Sequence, residues 1–151
     1  MEQTFVSSRF GEVSFEEADV IEFPWGIPGF DSLRQFLALS GPGNPDVVWL
    51  QSLEDPAVAL PTGDPWRFFP NYDPLLPAYA VVGLDLSDPD DFSILCVVCT
   101  PGTETRFTMN LLAPIVVNLK TRRARQVMLD TPAYSVREPV PTATAETLHS
   151  A

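Results

Sequence analysis

Hydrophobic and polar positions along this chain repeat mostly with a period of two, and they predict a succession of short strands. Arg106 to Leu112 shows the pattern most plainly. Phe107, Met109 and Leu111 fall on one face and Thr108 and Asn110 on the other, as successive side chains of a strand do. Phe92 to Thr100 is apolar at both sets of alternating positions, the pattern of a central strand buried on two sides. Thr4 to Ser7 and Glu12 to Phe15 predict a hairpin around Arg9-Phe10-Gly11, and Asp19 to Phe23 predicts a third strand. Val47 to Leu53 and Ala57 to Leu60 read as two more. After the break at Pro114, Ile115 to Leu119 and Arg125 to Leu129 read as a hairpin joined by a basic stretch.

Other segments read differently. Asp31 to Leu37 begins with an N-cap residue, Asp31, and predicts one short helix at most. Ala78 to Leu84 fits a short helix or a strand, and periodicity does not choose between them. Pro65 to Pro77 is an aromatic, Pro-rich crossing that holds Trp66, Phe68, Phe69 and Tyr72. Gly41 to Pro45 and Ser87 to Asp91 are turn clusters, and Thr142 to Ala151 is small and polar, the composition of a disordered tail. Residues 1–141 therefore read as one mainly β domain and 142–151 as its tail.

Composition sharpens this picture. The 16 Pro among 151 residues are about twice average usage and leave little room for long helices. A chain of this length buries one full core. The longest unbroken apolar run, Ile94 to Cys99, is too short to span a bilayer, and Met1 to Phe10 lacks the basic-then-apolar order of an export signal. With two Cys, these features place the chain in a reducing cytoplasm. Net charge is −11, from 20 acids against nine bases, a field that repels nucleic acid and draws basic partners. Solubility alone is the other reading of that charge.

The chemistry is marked by what is missing. The only His is His149, near the end of the predicted tail, so the domain offers no Ser-His or Cys-His pair and no ordinary zinc site. No metal or cofactor is expected. Cys96-Val97-Val98-Cys99 has CxxC spacing, but residues three apart on a strand point to opposite faces, which predicts two separate thiols. The acidic doublets Glu54-Asp55 and Asp90-Asp91 lie beside Pro in turns, where carboxylates cap backbone amides. Lys120-Thr121-Arg122-Arg123-Ala124-Arg125 reads as a solvated hairpin tip or a phosphate contact, and the tip is favoured because no aromatic residues interleave with the bases.

The most informative segment is Phe23-Pro24-Trp25-Gly26-Ile27-Pro28-Gly29-Phe30. Two Gly and two Pro set a tight, rigid bend, and three aromatic rings and one Ile surround it. Its apolar side chains form either a core plug or a binding surface.

Three segments in order carry a family resemblance. Phe23 to Phe30 is similar to an F-x-x-GIPGF motif, Trp49 to Pro56 to WLQS-x-x-DP, and Asn110 to Asn118 to NLLAPI-V-N. Thr121-Arg122, Gln126-Val127, Tyr134-Ser135 and Arg137 fit the closing pattern. Together they resemble the flagellar assembly factor FliW family from about Thr4 to Val140. The chain differs at Ala124, where members often have Gly, at Glu138, where they often have His, and at Leu60-Pro61-Thr62-Gly63.

The resemblance implies a small antiparallel β-barrel-like fold with one or two short helices and a non-catalytic regulatory role. Family members bind the RNA-binding translational repressor CsrA and also flagellin, and capture of CsrA relieves repression of flagellin mRNA translation. It implies no direct contact with nucleic acid or membrane and a free monomer. Ile27 and Phe30 are then the candidate apolar anchor for a partner, and Asn110 and Asn118 the candidate polar contacts, with turn or bulge stabilisation as the other reading of both Asn. Two other classes stay open: a small-molecule-binding β-barrel with Trp66 to Tyr72 lining its cavity, and a hydrolase built on carboxylates alone.

Overall fold

Strand follows strand through the computed structural model, which describes residues 2–40, 46–99 and 107–140. The turn cluster at 41–45 and the tail at 142–151 lie outside the described residues. The N-terminal hairpin forms as expected, β1 (Gln3–Ser7) against β2 (Gly11–Phe15) with Phe5 opposite Val13. Then come β3 (Ile21–Glu22), β4 (Gln35–Ser40), β5 (Val48–Ser52), β6 (Ala59–Gly63), α1 (Pro65–Phe68), α2 (Ala78–Gly83), β7 (Phe92–Cys99), β8 (Thr108–Met109), β9 (Ile115–Asn118), β10 (Arg123–Gln126) and β11 (Glu138–Pro139).

Nine of these strands form one sheet in the order β11-β8-β7-β6-β5-β4-β3-β10-β9. β9 also pairs with β7, Ile94 opposite Val116, so the seven strands from β7 round to β9 close into a ring. The neighbours are antiparallel except β3 and β10, which meet in parallel at Glu22 and Arg123. The fold is thus mainly β and barrel-like with two short helices, as the resemblance implied, with one parallel seam. Phe23, Phe36, Leu50, Ile115 and Val117 fill the interior with Ile21, Ile27 and Ala124. The rings of Phe23 and Phe36 meet edge to face at 5.1 Å.

β7 and β9 are covered on both faces. Ile94 and Val116 turn outward under Ala80 of α2 and Leu84 just after it, while Cys96 and Val98 pack against Phe68 and Tyr72 around α1. This is the two-sided burial that the apolar run of β7 predicts. It also separates the two thiols, since Cys96 is buried and Cys99 exposed. Burial pushes the Cys96 thiol up to about 12, so it stays protonated and unreactive at neutral pH. A thiol reagent at neutral pH is expected to label Cys99 alone in the folded protein and both cysteines in denaturant. Equal labelling without denaturant would refute the packing of β7. Stability is also expected to fall as pH rises through the window from 9, where the unfolded thiol ionises, to about 12, because the folded state holds the proton there and the unfolded state releases it.

Four local expectations are corrected, the first being that the strand over Arg106 to Leu112 is only Thr108–Met109 among the described residues. The short helix over Asp31 to Leu37 does not form, because β4 begins inside it. The Glu54 carboxylate accepts the backbone N–H groups of Arg34 and Gln35, and Phe36 enters the ring opposite Ser52. Sheet pairing thus overrides the Asp31 cap signal. The third strand is only Ile21–Glu22, because Glu17–Asp19 forms a 3-10 turn in which the Asp19 carboxylate accepts the Glu16 N–H at 2.8 Å. The final hairpin is tighter than predicted. Arg122 adopts a left-handed φ of 59° and its N–H donates to the Asn118 carbonyl at 2.8 Å, so β10 starts at Arg123 rather than Arg125.

Ala78 to Leu84 resolves as helix, with Ala80 buried against the sheet. Pro61 sits within β6 without breaking it. Ser52 donates to the Val58 carbonyl and the register continues as Leu50 to Leu60 and Val48 to Thr62, which makes Trp49 and Pro61 a non-hydrogen-bonded pair. The Pro61 nitrogen therefore faces away from β5, and pairing with β7 begins at the next residue, Thr62.

Candidate interaction surface

The Gly/Pro loop is held from several sides. Gly26 takes φ 70° and Gly29 φ 89°, the left-handed region where a Cβ is costly. A Cβ on Gly26 would lie 2.6 Å from the Asp31 carbonyl oxygen. Gly26 N–H donates to Phe23 O, and Phe30 N–H donates to Ile27 O at 2.7 Å. The Arg34 guanidinium donates to the carbonyls of Pro24 and Asp31 and so closes the loop. The rings then separate: Phe23 plugs the core while Trp25 is 44% exposed and Phe30 36%.

The four sequence-derived site residues do not converge. Ile27 is 3% exposed and packs in the ring interior beneath the loop, leaving Phe30 as the outward member of the pair. Asn110 is half-buried, and its Oδ1 accepts the Ala113 N–H at 2.9 Å across the turn before Pro114. Asn118 is 3% exposed and lies on the same face of β9 as Val116, beneath the end of α2. Its Nδ2 donates to the carbonyls of Leu84 at 2.7 Å and Asp85 at 3.3 Å, and its Oδ1 accepts from Lys120 N at 2.9 Å and Thr121 N at 3.1 Å. Both Asn side chains thus tie the chain to itself.

The motif Trp49 to Pro56 does likewise. Gln51 is buried, its Oε1 accepts the Ser7 hydroxyl at 2.7 Å, and its Nε2 donates to the Ser52 carbonyl at 2.9 Å. Ser8 N–H donates to the Pro56 carbonyl, and the Arg9 guanidinium lies 4.0 Å over the Trp49 ring. These contacts fasten the outer hairpin to the ring. The Ser52 hydroxyl accepts the N–H groups of Glu54 and Asp55, and the Asp55 carboxylate that of Ala57. The Glu54 carboxylate caps the start of β4, so the first doublet does cap backbone amides, whereas in the second the amide of Asp90 is capped by Asp88 and Asp91 instead pairs with Lys120 at 3.0 Å.

Clefts open on the surface of the described residues. A groove of about 1230 Å³ runs between the outer hairpin and the ring, lined by Phe5, Glu16, Glu17, Glu22 and the turn Lys120 to Arg123. A second, of about 530 Å³, is lined by Trp66, Tyr72, Leu76 and Phe92, so two rings of the aromatic crossing reach it. Phe68 instead joins the core, and the Tyr72 hydroxyl is taken up by the Leu111 carbonyl at 2.7 Å. Among the described residues no group of His, Cys, Asp and Glu could hold a metal ion, and no helix is long and apolar enough to cross a membrane.

One cluster was missed by the sequence reading. The Arg125 guanidinium carbon lies 4.5 Å from the Trp25 ring and 4.6 Å from the Tyr79 ring, with Arg123 6.0 Å from Trp25. Aromatic residues do interleave with the bases, but from the loop and from α2 rather than along the basic stretch. No signal in the linear chain brings these positions together.

A closed seven-stranded β-ring, with a hairpin pinned to its outside and a short helix over β7 and β9, defines the class: a small β-barrel domain whose motif residues hold the fold. The chain belongs to the FliW protein family, whose model matches residues 4–140. It is 42% identical over 131 residues to the flagellar assembly factor FliW of Pseudothermotoga lettingae, covering 86% of this chain and 83% of that one. It is 39% identical over 134 residues to the flagellar assembly factor FliW of Bdellovibrio bacteriovorus, covering 89% and 77%. A crystal structure of the flagellar assembly factor FliW superposes with a TM-score of 0.81 at 28% identity, covering 90% of this chain and 95% of that one.

Proposed function

We propose that this protein is a flagellar assembly regulator that binds the translational repressor CsrA and flagellin, and relieves CsrA repression of flagellin mRNA translation without catalysing a reaction. The family match across residues 4–140, to relatives that are flagellar assembly factors, carries this reading. It acts in the cytoplasm, as a monomer when free. The net charge of −11 supports it physically, because an acidic protein attached to a cationic RNA binder lowers that partner's attraction for phosphate at a distance. Phe30, braced by buried Ile27, is the apolar anchor offered to a partner, while Asn110 and Asn118 stabilise turns of the fold.

Calorimetry with the CsrA of the same organism tests the reading. Saturable binding with a fixed stoichiometry per CsrA subunit is expected. Absence of binding to folded CsrA would remove the regulatory reading and leave flagellin to be tested. The electrostatic share has its own measurement. Inhibition of RNA binding at saturating complex should weaken as salt rises, and a salt-independent inhibition would remove that share.

A further inference from the structure

We propose that Arg123 and Arg125, set beside the rings of Trp25 and Tyr79, form a docking site for a short acidic segment of a protein partner, one that carries carboxylates next to an apolar side chain. The site rests on the binding role proposed above only in requiring a protein partner.

Three elements build it independently. Trp25 comes from the loop closed by Arg34, Tyr79 from α2, and the two Arg from β10. Two positions apart on a strand, Arg123 and Arg125 share one face, with their Cα atoms roughly 7 Å apart. Trp25 packs at Gly83, where an added Cβ would lie 3.7 Å from the indole, so the ring stands on the helix surface one turn along from Tyr79. Val82, exposed three positions beyond Tyr79, extends the apolar rim.

Several of the other bases are engaged within the chain. Lys120 pairs with Asp91 and Arg67 with Asp46, and Arg34 and Arg122 donate to backbone carbonyls. Arg123 and Arg125 form no ion pair among the described residues, although Glu22 stands opposite Arg123 where β3 meets β10. The Arg125 guanidinium carbon lies 4.5 Å from the Trp25 ring and 4.6 Å from the Tyr79 ring, which holds the group beside both, and a guanidinium is the fork that matches a carboxylate with two parallel hydrogen bonds. A side chain already held in place loses little freedom on binding. Trp25 at 44% exposed and Tyr79 at 47% provide the open apolar surface beside that fork.

These features favour an acidic peptide over single-stranded RNA. The stacked rings would suit a base, but RNA brings a further negative charge with every nucleotide toward a protein of net charge −11, and the patch supplies two cations to meet it. A peptide with two carboxylates saturates the patch and adds apolar contacts in place of further charge.

The test uses a fluorescently labelled octapeptide of alternating glutamate and leucine, read by anisotropy, with a lysine–leucine octapeptide and a uridine octanucleotide as comparisons. Saturable binding of the acidic peptide is expected, with no binding of the basic one. The double variant Arg123→Gln/Arg125→Gln should weaken it by about tenfold or more. Arg125→Lys, which keeps the charge and loses the fork, should weaken it several-fold. Exposed Arg123→Gln alone provides a variant that leaves the stack intact, and melting curves confirm that each variant is folded. Undiminished binding by the folded double variant, tighter binding of the uridine octanucleotide, or no saturation would each overturn the site. Because neither CsrA nor flagellin enters the assay, its failure leaves CsrA capture standing, and failure of CsrA capture leaves this result standing.

Discussion

Replacing Gly26 by Ala is expected to cost about 3 kcal/mol of stability, a large part of what a domain of this size possesses. The left-handed φ of 70° accounts for about 1–2 kcal/mol of that, since a Cβ there crowds the following carbonyl. The remainder comes from the Asp31 backbone, whose carbonyl oxygen would lie 2.6 Å from the new atom and cannot swing aside as a side chain would. Gly29 is the internal comparison. It too has a left-handed φ, 89°, but nothing stands within 4 Å of its added Cβ, so Gly29→Ala should cost only the conformational part, about 1–2 kcal/mol. Chemical denaturation of both variants measures the difference. Equal losses would mean that Asp31 yields and that the loop is softer than its hydrogen bonds indicate.

Asn118→Ala is the second large effect, at about 2–3 kcal/mol, because it leaves a buried carbonyl without its donor. The side chain serves two structures at once. Its Nδ2 holds Leu84 O and Asp85 O at the end of α2, and its Oδ1 holds the amides of Lys120 and Thr121 in the turn before β10. Water can replace it at the exposed turn amides but not at buried Leu84. Asn110→Ala, whose Oδ1 makes a single bond to the Ala113 amide at a half-buried position, should cost about 1 kcal/mol. Asn118→Asp separates the two tasks. The turn acceptor survives, but a carboxylate then faces two carbonyls, so its folded pKa lies above its unfolded value. Stability of that variant should be greatest in acid and fall as pH rises through the elevated pKa. A flat profile would show that the carboxylate turns out to solvent.

The strands of this fold were legible because a half-buried strand writes its two faces into the sequence. Phe107 and Met109 against Thr108, and the unbroken apolar run of β7, are direct records of burial. Elements set by remote partners were not legible. Asp31 carries a helix cap signal, yet Glu54 reaches across from β5's end to start β4 as a strand. The parallel meeting of β3 with β10 leaves no trace in either segment. The motif residues were visible, but their tasks were not. Gln51 could be singled out as part of a motif, whereas its bond to Ser7 joins positions far apart in the chain. The stack of Arg125 between Trp25 and Tyr79 has the same origin, three segments brought together only by ring closure.

The order of strands around the ring sets when the protein can fold. β10, near the end of the described chain, lies between β3 and β9, so the seam at Glu22 waits for residue 123 to be synthesised. Until then the growing chain holds β3 through β7 as a sheet with two open edges, each able to pair with another copy. Closure is therefore a late, long-range event, of the kind that makes β domains fold in milliseconds to seconds rather than microseconds. A ribosome-bound nascent chain that stops before Gln126 has no complete barrel. The interval between emergence of β7 and emergence of β10 is when this protein is most exposed to aggregation.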